Sequence, residues 1–288
     1  MTQLQMKKVY LSFIFLYLLS PLSSTAGNEY SAAGARSAGL ANASVSLSDL
    51  WSINNNQAGL AFLKSPTAGV CYENRFLVKE LSLKSGAAAI PVKGGTVGII
   101  VSSFGYTAYS ENKYGLAFAK SFGENLSAGI QLDYLSTKIG DVYGSTGVPA
   151  AELGVQAKPM ENLTIGAHVF NINRAKLADQ ENEHIPSFFR MGIDYRFSEK
   201  VFVAVEVEKN IDHKAELKTG IEYRPLKEFF LRTGISSNPV ETSFGFGLYL
   251  KGFRIDFASS LHPSLGFTPN LGLAYEINKA PSLEVKDK

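Results

Sequence analysis

The chain has 288 residues, with 28 Lys and Arg against 26 Asp and Glu and a formal charge of +2. That balance excludes the strongly basic surface of a nucleic-acid binder, so no nucleic-acid partner is expected. A single cysteine, Cys71, excludes an intramolecular disulfide and leaves loop rigidity to hydrogen bonds.

Lys7 and Lys8 precede an apolar run, Val9 to Leu22, interrupted by Ser12, Ser20 and Pro21. Ser24-Thr25-Ala26 then supplies the small residues that a signal peptidase reads. The apolar core is too short for a spanning helix, so residues 1–26 read as a cleaved secretory signal. No cysteine follows the site, which argues against lipoprotein processing. Cleavage removes Lys7 and Lys8 but no acid, leaving 26 basic against 26 acidic residues.

Residues 27–65 do not alternate. Ser31 to Ser46 is rich in Gly, Ala and Ser, and an apolar cluster of Leu47, Leu50, Trp51 and Ile53 follows. Disordered leaders seldom carry such a cluster. The segment is therefore expected as a hatch, or plug, seated inside what comes next.

From Pro66 to Ile277 the sequence is a series of short amphipathic strands. One face is apolar: Phe189, Met191, Ile193 and Tyr195; Val201, Val203, Val205 and Val207; Leu271, Leu273, Tyr275 and Ile277. The opposite face is small, polar or charged, and a lumen charge network is expected from Arg190, Asp194, Arg196, Glu206, Glu208, Lys218, Glu222, Arg224, Arg232, Arg254 and Asp256. Alternation at 180° per residue marks strands between two unlike environments, either core and water or lipid and lumen.

Two features select lipid. The apolar face recurs on every strand, including those that would edge an open sheet, and no helix after residue 60 is available to cover it. A closed barrel removes the edges and satisfies every backbone group. The connections also sort by length, which a soluble sandwich does not require. The tight ones fall near residues 93, 123, 160, 198, 226 and 251. Longer polar stretches are read at Ser136–Val148, Asn171–Ile185 and Ser259–Phe267.

The expected fold is all-β, a closed antiparallel transmembrane β-barrel of about fourteen strands of ~9–11 residues. Twelve strands is the alternative, because Glu73–Val92 is less cleanly patterned. An even count places both termini in the periplasm, with residues 278–288 as a periplasmic tail.

The run from Gly34 to Asp49, Gly-Ala-Arg-Ser-Ala-Gly-Leu-Ala-Asn-Ala-Ser-Val-Ser-Leu-Ser-Asp, is followed by Asn55-Asn56-Gln57-Ala58-Gly59-Leu60-Ala61. It resembles the N-terminal signature of the PorV/PorQ family, which is related to the FadL-type outer-membrane transporters. In that superfamily an Ala/Gly-rich run leads to an Asn-Pro-Ala-Gly-Leu hatch motif and then a fourteen-stranded barrel. Asn56, Ala58, Gly59 and Leu60 match the motif, and Gln57 stands where the family has proline.

The resemblance implies two classes of function. PorV and PorQ belong to the type IX secretion apparatus, where the partners would be secretion-machinery or cargo proteins. The FadL branch passes hydrophobic small molecules through a hatch-plugged barrel. A hydrophobic channel needs an apolar binding site, whereas the inward positions read as Gly115, Gly129, Gly154, Gly166, Gly192, Gly220 and Gly234 among charged residues. Phe170, Phe202, Phe230 and Tyr249 are the exceptions and could line a small pocket.

The residues therefore favour a non-catalytic, partner-binding outer-membrane barrel acting through loops such as Asn171–Ile185 and Ser259–Thr268. FadL-like uptake is the alternative. No Gly-x-Ser-x-Gly or His-Glu-x-x-His motif occurs, and His168 is the only mid-barrel histidine, so neither catalysis, a metal nor a cofactor is expected.

Overall fold

A computed structural model describes residues 32–140, 144–176, 185–211 and 213–277. The expected signal (1–26), the first residues of the expected hatch segment (27–31), the expected tail (278–288) and part of the Asn171–Ile185 stretch lie outside the described residues.

Fourteen strands follow the N-terminal segment. The first seven are β1 (Thr67–Asn74), β2 (Ser82–Val92), β3 (Gly95–Tyr106), β4 (Tyr109–Phe122), β5 (Leu126–Ile139), β6 (Ser145–Met160) and β7 (Leu163–Phe170). The rest are β8 (Phe188–Arg196), β9 (Val201–Asn210), β10 (Glu216–Leu226), β11 (Phe229–Ser237), β12 (Val240–Leu250), β13 (Phe253–His262) and β14 (Gly266–Glu276). Each pairs antiparallel with its sequence neighbours, and β1 pairs with β14 from Thr67↔Glu276 to Glu73↔Asn270. The sheet is a closed barrel without an edge, and the fourteen-strand reading holds over the twelve-strand one.

The facing assignment follows the alternation. Phe189, Met191 and Ile193 are exposed on the outer wall, while Arg190 between them is fully buried. Aromatic pairs mark the outer surface: Phe253 and Tyr275 stack at 4.5 Å, and Tyr195 meets Phe197 edge-on at 4.7 Å. Aromatic girdles at lipid–water boundaries are the mark of a membrane barrel. Val205 lies mid-strand on β9 between Ile193 and Thr219. Val205→Arg is expected to cost about 2–4 kcal/mol of membrane stability. Urea-driven unfolding from lipid bilayers measures this, and an unchanged midpoint would reverse the facing of β9.

The rim that carries the start of β1 and the end of β14, called here the terminal rim, has six turns of two to four residues. At β12–β13, Lys251 (φ 50°) and Gly252 (φ 86°) are both left-handed, the backbone that a two-residue hairpin twisted with its strands needs.

The far rim corrects the expected alternation of loop lengths. β3 and β4 are joined there by only Thr107 and Ala108, and β11 and β12 by Asn238 and Pro239. The stretch Ser136–Val148 is mostly strand, because β5 runs to Ile139 and β6 starts at Ser145. Ser259–Phe267 is likewise strand around a three-residue turn. Polar composition reads as loop, yet a strand that has left the lipid needs no apolar face. On β4 and β5 the outward Tyr114 and Tyr134 sit directly opposite each other, and the next outward pairs are Asn112↔Ser136 and Ser110↔Lys138. The less cleanly patterned Glu73–Val92 contains two 3-10 turns, Arg75–Leu77 and Lys79–Leu81, before β2 begins.

Candidate functional site

Residues 32–63 are almost wholly buried against the inner wall. The segment contains two short helices, α1 (Ala35–Gly39) and α2 (Ser52–Asn55), and a 3-10 turn, Gln57–Phe62. At Gly34 the backbone is left-handed (φ 97°), and a Cβ there would lie 2.5 Å from the Trp51 ring. Only glycine lets that ring close over the start of α1.

The wall meets this segment through a belt of glycines. A Cβ at Gly129 on β5 would lie 2.6 Å from the Gln57 carbonyl carbon, and one at Gly154 on β6 would lie 2.0 Å from Asn56 Oδ1. At Gly166 on β7 it would lie 2.3 Å from the Val45 carbonyl oxygen; at Gly220 and Gly234, on β10 and β11, it would fall within 2.6 Å of Leu40. At Gly129, Gly166, Gly220 and Gly234 wall and segment therefore approach backbone to backbone, whereas Gly115 faces wall side chains.

Polar side chains fix the register of that contact. Asn56 donates to the Val45 carbonyl at 2.6 Å and the Val155 carbonyl at 3.1 Å, and its Oδ1 accepts from Ala58 N–H. Gln57, where the resembled motif has proline, donates to the Ile53 carbonyl and to Glu152. Gln156 on β6 donates to the carbonyls of Val45 and Leu47. A Cβ at Gly59 would meet the Leu47 carbonyl at 2.5 Å, and Ala58 and Leu60 are fully buried.

The expected apolar cluster divides in two. Leu50, Trp51 and Ile53 pack with Leu60, Ile100 and Ala117, whereas Leu47 joins Leu40, Ala43 and Phe202 on the other side.

The inward charges form three networks. On β8–β10, Arg190 binds Glu206 at 2.7 Å and Glu208 at 3.4 Å, and Lys218 binds Glu208 at 2.6 Å. This network grips the segment. Arg190 donates to the Asn55 carbonyl and the Ser44 hydroxyl, while Glu206 accepts from the backbone N–H groups of Ser44 (2.7 Å) and Val45 (2.8 Å). On β10–β13, Glu222 joins Arg36 and Arg232, Arg232 reaches Asp256 at 2.6 Å, and Arg254 closes on Asp256. Arg36 also binds Asp49.

Three expected members, Arg196, Arg224 and Asp194, stand outside these networks. Arg196 lies exposed at the end of β8, and Arg224 donates to the Lys227 carbonyl in its own turn. Both occupy the last inward position of their strands, where water replaces the lumen. Asp194 is buried without joining either network.

The third network, on β4–β7, lies outside the charges expected from the sequence. Glu152 accepts from Lys113, Gln57 and, at 2.9 Å, His168 Nε2; Gln131 donates to Asp133. Lys113, Gln131, Asp133, Glu152 and Gln156 all fall on inward positions of strands whose outer faces are apolar. The same period-2 count, applied to β4–β6, finds them. His168 is a buried wall residue of this network.

Among the described residues, cavities adjoin the segment at both rims. One of about 440 Å³ opens near the far rim and is polar, bordered by Glu73, Glu216, Lys218, Glu241 and His262. One of about 260 Å³ lies at the terminal rim, where Leu50, Trp51, Phe62, Leu63 and Ala274 face Asp49, Arg254 and Glu276. The third, about 310 Å³, is rich in arginine. The four inward aromatics do not share a pocket. Phe202 and Phe230 border the third cavity, Tyr249 borders the second, and Phe170 packs with Leu135, Ile185 and Phe188. Among the described residues no group of acids, histidines or cysteines could hold a metal ion.

No protein-family model matches the chain, and no curated protein matches it. Solved structures do match. A FadL homologue of Pseudomonas aeruginosa superposes with a TM-score of 0.66 at 11% identity, over 88% of this chain and 100% of the other. The P. putida toluene transporter TodX gives 0.69 at 12%, over 88% and 100%. The Ralstonia pickettii toluene transporter TbuX gives 0.70 at 11%, over 87% and 100%. At these identities the likeness establishes the fold, that of FadL-type outer-membrane barrels.

Proposed function

We propose that this chain is an outer-membrane channel for small apolar molecules, held closed in this conformation by residues 32–63 acting as its hatch. Both termini face the periplasm in this reading. The observation that carries it is the cavity of about 260 Å³ beside Trp51, which is apolar on one side, polar on the other and of a size for a monoaromatic ring. The fold shared with barrels described as toluene transporters supports the same reading.

Trp51 is the only tryptophan in the chain, so the cavity has its own reporter. Bromobenzene added to the protein in detergent is expected to quench its fluorescence saturably. Phe62→Gln, which removes one apolar wall of the cavity, is expected to weaken that quenching about tenfold, the equivalent of roughly 1.5 kcal/mol of lost apolar contact. Linear, unsaturable quenching in the wild type would exclude the cavity as a site for such molecules.

A second reading is a partner-binding barrel of the PorV/PorQ kind in type IX secretion. The inner wall favours it, because the far-rim cavity is polar and shares no lining residue with the cavity at Trp51. Comparing culture medium and cell surface with and without the gene separates the two. Selective loss of proteins bearing type IX sorting domains would select secretion over uptake.

A further inference from the structure

We propose that the arginine-rich cavity at the terminal rim binds a phosphate-bearing organic anion. Arg36, Arg196, Lys200, Arg224 and Arg254 border its 310 Å³, against only two carboxylates, Glu199 and Glu222. Glu222 is already committed, since Arg36 holds it through Nε at 3.0 Å and Nη2 at 2.8 Å, and Arg232 holds it at 2.7 Å. Arg254 is engaged by Asp256 at 3.1 Å.

Three cations remain. Arg224 directs Nε and Nη2 at the Lys227 carbonyl, at 3.0 and 2.6 Å. A neutral acceptor orients a guanidinium without neutralising it. Arg196 and Lys200 flank the β8–β9 turn and are exposed, and among the described residues no carboxylate pairs with either of them or with Arg224. A cleft with an excess of one charge sign focuses its field on an entering counter-ion. Planar guanidinium forks match the oxygens of phosphate, and Lys200 adds a mobile point charge. A doubly charged group suits three such cations better than a single carboxylate does.

The ligand has an organic body as well. Phe202 and Phe230 border the cavity, with Arg36 over the first ring at 5.6 Å and Arg224 over the second at 5.2 Å. These rings give an apolar shelf beside the cationic wall, and a bare oxyanion would leave that shelf to water. The cavity is distinct from the one at Trp51, although Arg254 borders both. The proposal does not depend on what the Trp51 cavity carries.

Two sources could present this chemistry, a soluble organic phosphate and a phospholipid headgroup reaching over the rim. The full protein in zwitterionic detergent would be titrated calorimetrically with glycerol 3-phosphate. In parallel, nanodiscs of phosphatidylcholine with and without phosphatidylglycerol would be analysed for lipid retained on the protein by native mass spectrometry. The test variant is Arg196→Gln/Lys200→Gln, at exposed positions whose loss leaves the ion-pair networks intact. The control is Lys93→Gln/Lys120→Gln, with the same change of charge on exposed residues at another part of the same rim.

Saturable binding of at least one probe, weakened tenfold or more in the test variant and unchanged in the control, is the expected result. Glycerol 3-phosphate binding identifies a soluble ligand, and selective retention of phosphatidylglycerol identifies a headgroup. Equal weakening in both variants would reduce the effect to diffuse surface charge and overturn the site. Failure of both probes to bind the wild type would overturn it as well.

Discussion

Replacing Arg190 with methionine is expected to destabilise the protein by about 3–5 kcal/mol, the usual cost of removing one member of a buried ion pair. Arg190 is fully buried and touches two carboxylates, two carbonyls and a hydroxyl. Its loss leaves Glu206 charged, buried and still bound to two N–H groups of the N-terminal segment. Methionine fills similar volume, so a cavity contributes little. The double variant Arg190→Met/Glu206→Gln discriminates causes. Glutamine keeps an acceptor for Ser44 and Val45 while removing the stranded charge, and is expected to restore a substantial part of the loss. Equilibrium unfolding in detergent reads both. A cost below about 1 kcal/mol for Arg190→Met would place the pair among weak, solvent-screened bridges.

The second large effect is expected at Gly166. A side chain there meets the Val45 carbonyl oxygen at 2.3 Å; Gly166 is held in the strand ladder and that carbonyl accepts from Asn56 and Gln156, so neither has much room to yield. Gly166→Val is compatible with the strand itself, since valine is a good β former. The strain therefore falls on the segment, and the expected result is a barrel that still assembles but carries a displaced N-terminal segment. Its single-channel conductance in planar bilayers is expected to rise well above that of the wild type, with proteolysis of residues 32–63 accelerated. An unchanged conductance together with an unchanged protease pattern would mean that the segment does not close the lumen.

The barrel was legible because lipid imposes a rule that the sequence obeys residue by residue. Each strand that crosses hydrocarbon shows Phe, Ile, Leu or Val at alternate positions, and Arg190 between Phe189 and Met191 is the rule at its clearest. It fails where the rule stops applying. Ser136–Val148 looks like a loop because the outer face of β5 turns polar at Ser136 and Lys138, and Ser259–Phe267 because its Ser, His, Pro and Gly residues mask the outward pair Leu261–Phe267, though both backbones continue the ladder. The lumen charges on β8–β13 were legible for the same reason as the strands, whereas Lys113, Asp133 and Glu152 were overlooked on strands read mainly for their apolar faces. Which charge meets which could not be read at all. Arg36 pairs with Glu222 across 186 positions of sequence, a contact set by how the segment lies against the wall. The division of the apolar cluster, with Leu47 facing away from Trp51, has the same origin.

β4 and β5 each span 14 residues and β6 spans 16, whereas β7 has 8 and β8 has 9. A bilayer needs only ~9–11 tilted residues, and the tyrosine pair Tyr114–Tyr134 marks where β4 and β5 leave it. About five further residues of each, at roughly 3.4 Å apiece, stand up as a hydrated palisade along one side of the far mouth. A large object sliding in the membrane plane meets this fence on the β4–β6 side and a low sill at the two-residue turn between β11 and β12. The mouth is therefore handed, and a neighbour or incoming molecule that must reach the far-rim cavity has its shortest way over the sill.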